Sequence, residues 1–169
     1  MALTKLNNSS LAAVTSAGLP TGTITSSNFA ANMPTGSVLQ VLHASTNASI
    51  QTASTSFVSS GLSQAITPSS TSSKILCIVS CPSWYLGGNE SWITIYKGSA
   101  ALSGTATYGI MHQNVSSSYA PSTGQILDSP NTTSATTYTV YFRTSNGDST
   151  YISYSTYGYL SLTLMEIAG

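Results

Sequence analysis

From Ser37 onward the chain is a succession of short runs rich in β-branched and aromatic residues, each broken by Ser, Gly, Asn or Pro, and no stretch sustains a helical period. Such a pattern constrains the fold to strands. Side chains alternate along a strand, so residues 37–44 put Leu39, Val41 and His43 on one face and Val38, Gln40 and Leu42 on the other. Residues 62–67 form a shorter candidate, ended by Pro68 and the Ser/Thr run through Ser73. Residues 74–81 read as the most buried strand, with Ile75, Cys77 and Val79 opposing Leu76 and Ile78. Ser91–Lys97 sets Ile93 and Ile95 against Trp92, Thr94 and Tyr96, and residues 136–143 set Tyr138, Val140 and Phe142 against Thr139, Tyr141 and Arg143. Residues 105–112 and 124–127 are weaker, with 113–123 as the loop between them. Asn146-Gly147 predicts a tight hairpin that returns residues 150–154 along 136–143. Residues 159–168 read as a closing strand, with Leu160, Leu162 and Leu164 on one face. About eight strands, several apolar on both faces, pack economically as two antiparallel sheets, so the expected fold is an all-β, jelly-roll-like sandwich over residues 35–169. Residues 1–34, with little periodicity and with Pro20 and Pro34 as breakers, read as an extended N-terminal arm.

Composition narrows the function classes. The 169 residues suit one folded domain with a real core. Only 5% are charged, with Lys plus Arg 4 and Asp plus Glu 4. Lys5, Lys74, Lys97 and Arg143 cannot build the basic face that nucleic acid demands, and a charge-driven membrane-surface role fails for the same reason. Ser and Thr, about a third of the chain, supply the solvation that charges usually give. A surface without self-repulsion tolerates self-association, which points to an oligomer. No run approaches the length of a transmembrane helix, and the opening residues hold no apolar core of signal-peptide type, so neither membrane insertion nor signal-directed export is expected.

Chemistry-bearing residues are few. Cys77 and Cys81, four apart on an extended strand, are too distant for a disulfide and read as buried free thiols. His43 and His112 match no metal-ligand spacing with them, so no metal or other cofactor is expected. The acids Glu90, Asp128, Asp148 and Glu166 are scattered rather than paired, and no Gly-x-Ser-x-Gly elbow occurs, which argues against catalysis. The stretch 81–90 reads as a loop carrying Trp84 and Tyr85 beside Asn89 and Glu90. Aromatic faces stack on sugar rings while Asn, Glu and Asp exchange hydrogen bonds with hydroxyls, so Trp84, Tyr85, Asn89 and Glu90, with Asn146 and Asp148 from the Asn-Gly turn, form the candidate glycan-binding set. Packing at a subunit interface is the other reading of these aromatics. Tyr151, Tyr154, Tyr157 and Tyr159 read as a structural cluster of cross-strand pairs.

Three stretches carry a resemblance: Ile66-Thr67-Pro68-Ser69-Ser70-Thr71-Ser72-Ser73-Lys74-Ile75-Leu76, Leu127-Asp128-Ser129-Pro130 through Ser134-Ala135-Thr136-Thr137-Tyr138, and Leu162-Thr163-Leu164-Met165-Glu166-Ile167. In order and spacing they resemble the C-terminal domains of tailed-phage fibre and virion proteins, especially those of marine and cyanobacterial phages, over about residues 35 to 169. The resemblance implies a small β-sandwich assembled as a homotrimer on the virion surface, joined to other virion proteins through the arm and attaching to host-surface glycan. Family members often carry a long shaft before this domain, whereas here about 35 residues precede it. A short fibre, a head spike, a separate fibre tip, or a capsid decoration protein that stabilises the head without binding a receptor are the forms this leaves.

Overall fold

The computed structural model describes residues 33–88, 90–102, 108–114 and 119–169. Residues 1–32 of the expected arm, Asn89, and residues 105–107 of the weak strand lie outside them. The described residues form eleven strands: β1 (Val38–Thr46), β2 (Ile50–Thr52), β3 (Val58–Ile66), β4 (Lys74–Leu86), β5 (Ser91–Lys97), β6 (Ala100–Ala101), β7 (Met111–Gln113), β8 (Tyr119–Asp128), β9 (Thr136–Thr144), β10 (Thr150–Ser153) and β11 (Leu160–Ile167).

They build two antiparallel sheets. Sheet A runs β1-β11-β4-β8, with β10 and β2 extending it beside the far half of β4, and sheet B runs β3-β9-β5, with β6 and β7 both on β5. Pairing is nested: β1 with β11, β3 with β9, β4 with β8 and β5 with β7, falling alternately in sheet A and sheet B. The chain is thus one long antiparallel hairpin wound upon itself, which is the jelly-roll form of the sandwich. Inner faces supply the core: Ile75, Cys77, Val79, Trp84 and Leu86 of β4 and Leu160, Leu162 and Leu164 of β11 meet Ile93 and Ile95 of β5 and Tyr138, Val140 and Phe142 of β9. Cys77 and Cys81 are buried and unbridged, and burial pushes both thiols up to about 12.

Three expectations need correction. Residues 119–123 belong to β8 rather than to a loop, because Ser122 and Thr123 ladder against Cys81 and Ser80. Asn146-Gly147 does make a turn, with Gly147 at φ +90°, but no hairpin follows. The turn carries the chain from sheet B into sheet A, where β10 pairs with β4 and β2 instead of β9. The stretch 81–90 is strand as far as Leu86, and its pairing with β8 breaks register between Cys81 and Trp84. This bulge, at Pro82 with its missing N–H, shifts the alternation by one residue and turns Trp84 inward.

One end of the sandwich, the base, is where β1 begins and β11 ends, Gly36 N–H donating to the Ala168 carbonyl at 2.8 Å and Ala168 N–H to that of Ser37 at 2.8 Å. The three resembling stretches meet here. Glu166 is fully buried; its Oε1 accepts from Ser69 N (2.7 Å), Ser69 Oγ (2.6 Å) and Ser73 Oγ (2.7 Å), and its Oε2 from Gln40 Nε2 (2.6 Å). Burial alone would raise its pKa, but the hydrogen bonds from Ser69, Gln40 and Ser73 outweigh burial and hold the carboxyl below its ordinary value. Lys74 Nζ donates to Ser129 Oγ at 2.7 Å, and Asp128 accepts from Lys97 at 2.9 Å and from Tyr138 Oη at 2.7 Å, linking the two sheets. The shared stretches therefore encode a structural clasp at the base.

Candidate functional site

The opposite end, the tip, gathers two loops that lie far apart in sequence. Gly87 N–H donates to the Ser149 carbonyl at 2.8 Å and Ser145 N–H to that of Glu90 at 2.9 Å, so the β4–β5 loop and the Asn146 turn run side by side. Gly88 has no side chain because the Asp148 carboxylate occupies the space that a Cβ would need. Asn146 Nδ2 donates to Asp148 Oδ2 at 2.6 Å and Asp148 N–H returns to Asn146 Oδ1 at 3.2 Å, which orders the turn. The fold thus brings together Glu90, Asn146 and Asp148, with Asn89 outside the described residues.

Trp84 is not part of this surface. It is 0% exposed, and its indole N–H points to Ser91 Oγ and Thr150 Oγ1, each at 3.3 Å, inside the sandwich. A ring enclosed on all sides cannot stack on a sugar. Tyr85 turns the other way, onto the outer face of sheet A, away from the two loops.

The aromatic group beside the loops is a different one. On the outer face of sheet B, Arg143, Trp92 and His112 stand directly opposite one another on β9, β5 and β7. The guanidinium carbon lies 4.0 Å from the Trp92 ring centre, the imidazole stacks on that ring at 5.3 Å, and the exposed Tyr108 meets its edge at 6.4 Å. His112 Nε2 is 3.4 Å from Glu90 Oε1, which joins this row to the loops. The result is a surface of Asp148, Asn146, Glu90, His112 and Tyr108 in which Tyr108 is the exposed ring, Trp92 being buried beneath Arg143 and His112 as its support. Alternation along the strands set Trp92 on the face opposite Ile93 and Ile95 and Arg143 on the face opposite Tyr138, Val140 and Phe142, but only the pairing of β5 with β7 and β9 makes them neighbours on an outer face.

A second aromatic group covers the tip half of sheet A. Tyr85 and Tyr119 lie 4.9 Å apart by ring centres, Tyr119 and Tyr157 4.8 Å, Tyr85 and Tyr151 5.9 Å, and Tyr154 is 5.7 Å from both Tyr151 and Tyr157. Cross-strand pairing accounts for Tyr85 with Tyr119 and with Tyr151. The sequence reading of a structural cluster holds for Tyr151, Tyr154 and Tyr157 but not for Tyr159, which is 61% exposed and enters none of these ring pairs. It did not include Tyr85 or Tyr119. Partial burial, then the charges that Tyr154, Tyr157, Tyr85 and Tyr151 would carry, raise the Tyr119 pKa.

Among the described residues no three His, Cys, Asp or Glu side chains gather as metal ligands. A scan of protein-family models finds no match to the chain, and a comparison with curated proteins finds none either.

Proposed function

We propose that this chain is a non-enzymatic phage virion protein, a homotrimeric short fibre or spike that is exposed on the particle and attaches to host-surface glycan. Polarity is the observation that carries the reading. Residue 34, where the N-terminal segment joins, is at the base, while Glu90, Asn146, Asp148, His112 and Tyr108 collect at the tip and on the adjoining outer face of sheet B. A domain held at its base by residues 1–34 would present that surface outward, with hydrogen-bonding groups beside an aromatic ring, as glycan recognition needs. The non-enzymatic part is supported by the acids themselves. Glu166 and Asp128 are committed to the base clasp, Asp148 accepts from Asn146, and Glu90 lies beside His112, so each acid already has a partner within the domain.

The test is adsorption. Particles lacking this chain should remain intact yet adsorb poorly, and the purified full chain should compete with intact particles for cells. Particles that adsorb normally but burst on heating or osmotic shock would replace this reading with a capsid decoration role. Within the site, Tyr108→Ala together with Glu90→Gln should weaken cell binding by about 1–3 kcal/mol without altering the melting temperature.

A further inference from the structure

We propose that the outer face of sheet A is the surface through which copies of this chain meet, a deepening of the homotrimeric part of the proposed function. The face exposes large apolar side chains at both of its ends, with a polar, uncharged middle between them. Register aligns Val41, Met165, Leu76 and Leu127 in one row across β1, β11, β4 and β8, and Val41 and Leu127 are 52% and 58% exposed. Above it come His43, Thr163, Ile78 and Gln125, then Ser45, Ser161, Ser80 and Thr123, and at the tip the five tyrosines. Both faces of sheet A are therefore built to be covered, and the sandwich core covers only one.

Charge selects the occupant. Among the described residues no Asp, Glu, Lys or Arg faces outward between the Leu76 row and the tyrosines, whereas the outer face of sheet B carries Arg143 and Glu90. Cyclic symmetry sets patches of the same molecule against each other, so an uncharged face meets its copies without like-charge repulsion. A charged partner would find nothing to pair with. β4 spans 13 residues, about 40 Å at 3.3 Å per residue, and four strands roughly 4.8 Å apart make a face of about 750 Å². One standard interface takes about 800 Å² from each partner, so around a three-fold axis, where each chain meets two neighbours, each contact draws on about half of this face.

The experiment uses the full chain, with light scattering after size exclusion. Leu127→Lys and Tyr119→Lys should each lower the mass from three chains to one, or weaken association at least a hundredfold, while Tyr108→Lys on sheet B keeps the wild-type mass. Sheet A variants that hold the wild-type mass would overturn the inference and leave the trimer standing on some other face. A monomeric wild type would overturn both. Where a Lys variant fails to fold, hydroxyl-radical footprinting of the wild type decides: Tyr119, Tyr157 and Met165 should be protected on association and Tyr108 should not. Tyrosines that stay reactive in the assembled chain and become protected only by host polysaccharide would overturn it and assign the patch to ligand.

Discussion

Glu166 is buried among four donors, and its depressed pKa fixes the sign of an acid effect. Protonation favours the unfolded chain, so these bonds stabilise the fold fully above the ordinary carboxyl value of 4.5 and less as pH falls through the lower folded value. Denaturant titrations should record stability falling below pH 4.5, with the fall flattened in Glu166→Gln. At neutral pH, Glu166→Ala should cost about 1–3 kcal/mol, since it leaves the buried Ser73 hydroxyl without its acceptor and removes the bonds from Ser69 and Gln40. A second residue-level expectation concerns the thiols. With pKa values near 12, Cys77 and Cys81 hold almost no thiolate at pH 8, so an aromatic disulfide reagent should titrate neither in the native chain and both after unfolding. Rapid reaction of the folded protein would contradict the buried placement.

Among the elements, β7 and β8 approach closely at one point, where Gly124 leaves the space that Met111 fills. Gly124→Val should cost about 1–3 kcal/mol by overpacking. In combination with Met111→Ala the loss should be less than the sum of the two single changes, a coupling readable in a double-mutant cycle. Additive losses would mean that the strands part without strain. The elements also explain what was readable beforehand. Ser91–Lys97 is legible residue for residue because each face buries something, and Tyr138, Val140 and Phe142 declare the inner face of β9 by period alone. Trp84 is not legible, since one inserted residue at Pro82 reverses which of Trp84 and Tyr85 turns inward, and periodicity holds no memory across a bulge. The Asn146-Gly147 pair gave the turn correctly, with the positive angle at Gly147 but not at Asn146, and the partner strand wrongly. Local turn chemistry sets φ, whereas the choice between sheets is made by the long-range pairing of β10 with β4 and β2. The Trp92 row was half visible for a related reason: strand position follows from alternation, and neighbourhood follows only from topology.

At the scale of the molecule, sparse charge has a measurable consequence. Association through an uncharged face gains little from Coulomb attraction and loses little to screening, so the oligomeric mass should hold from low to molar salt. Dissociation at high salt would point to an ionic contact and away from sheet A. The glycan recognition proposed for the tip would rest on hydrogen bonds and ring contact and should be similarly indifferent to ionic strength.

The nested pairing also sets an order of events during synthesis. β11 fills a central place in sheet A, between β1 and β4, and pairs with strands made more than eighty residues earlier. Until β11 leaves the ribosome, β1 and β4 have no bridge between them, and the apolar faces of the nascent chain stand open to other nascent chains. For a protein read as assembling from identical copies, the interval between the translation of β4 and the release of β11 is when a correct assembly and an aggregate compete for the same surfaces.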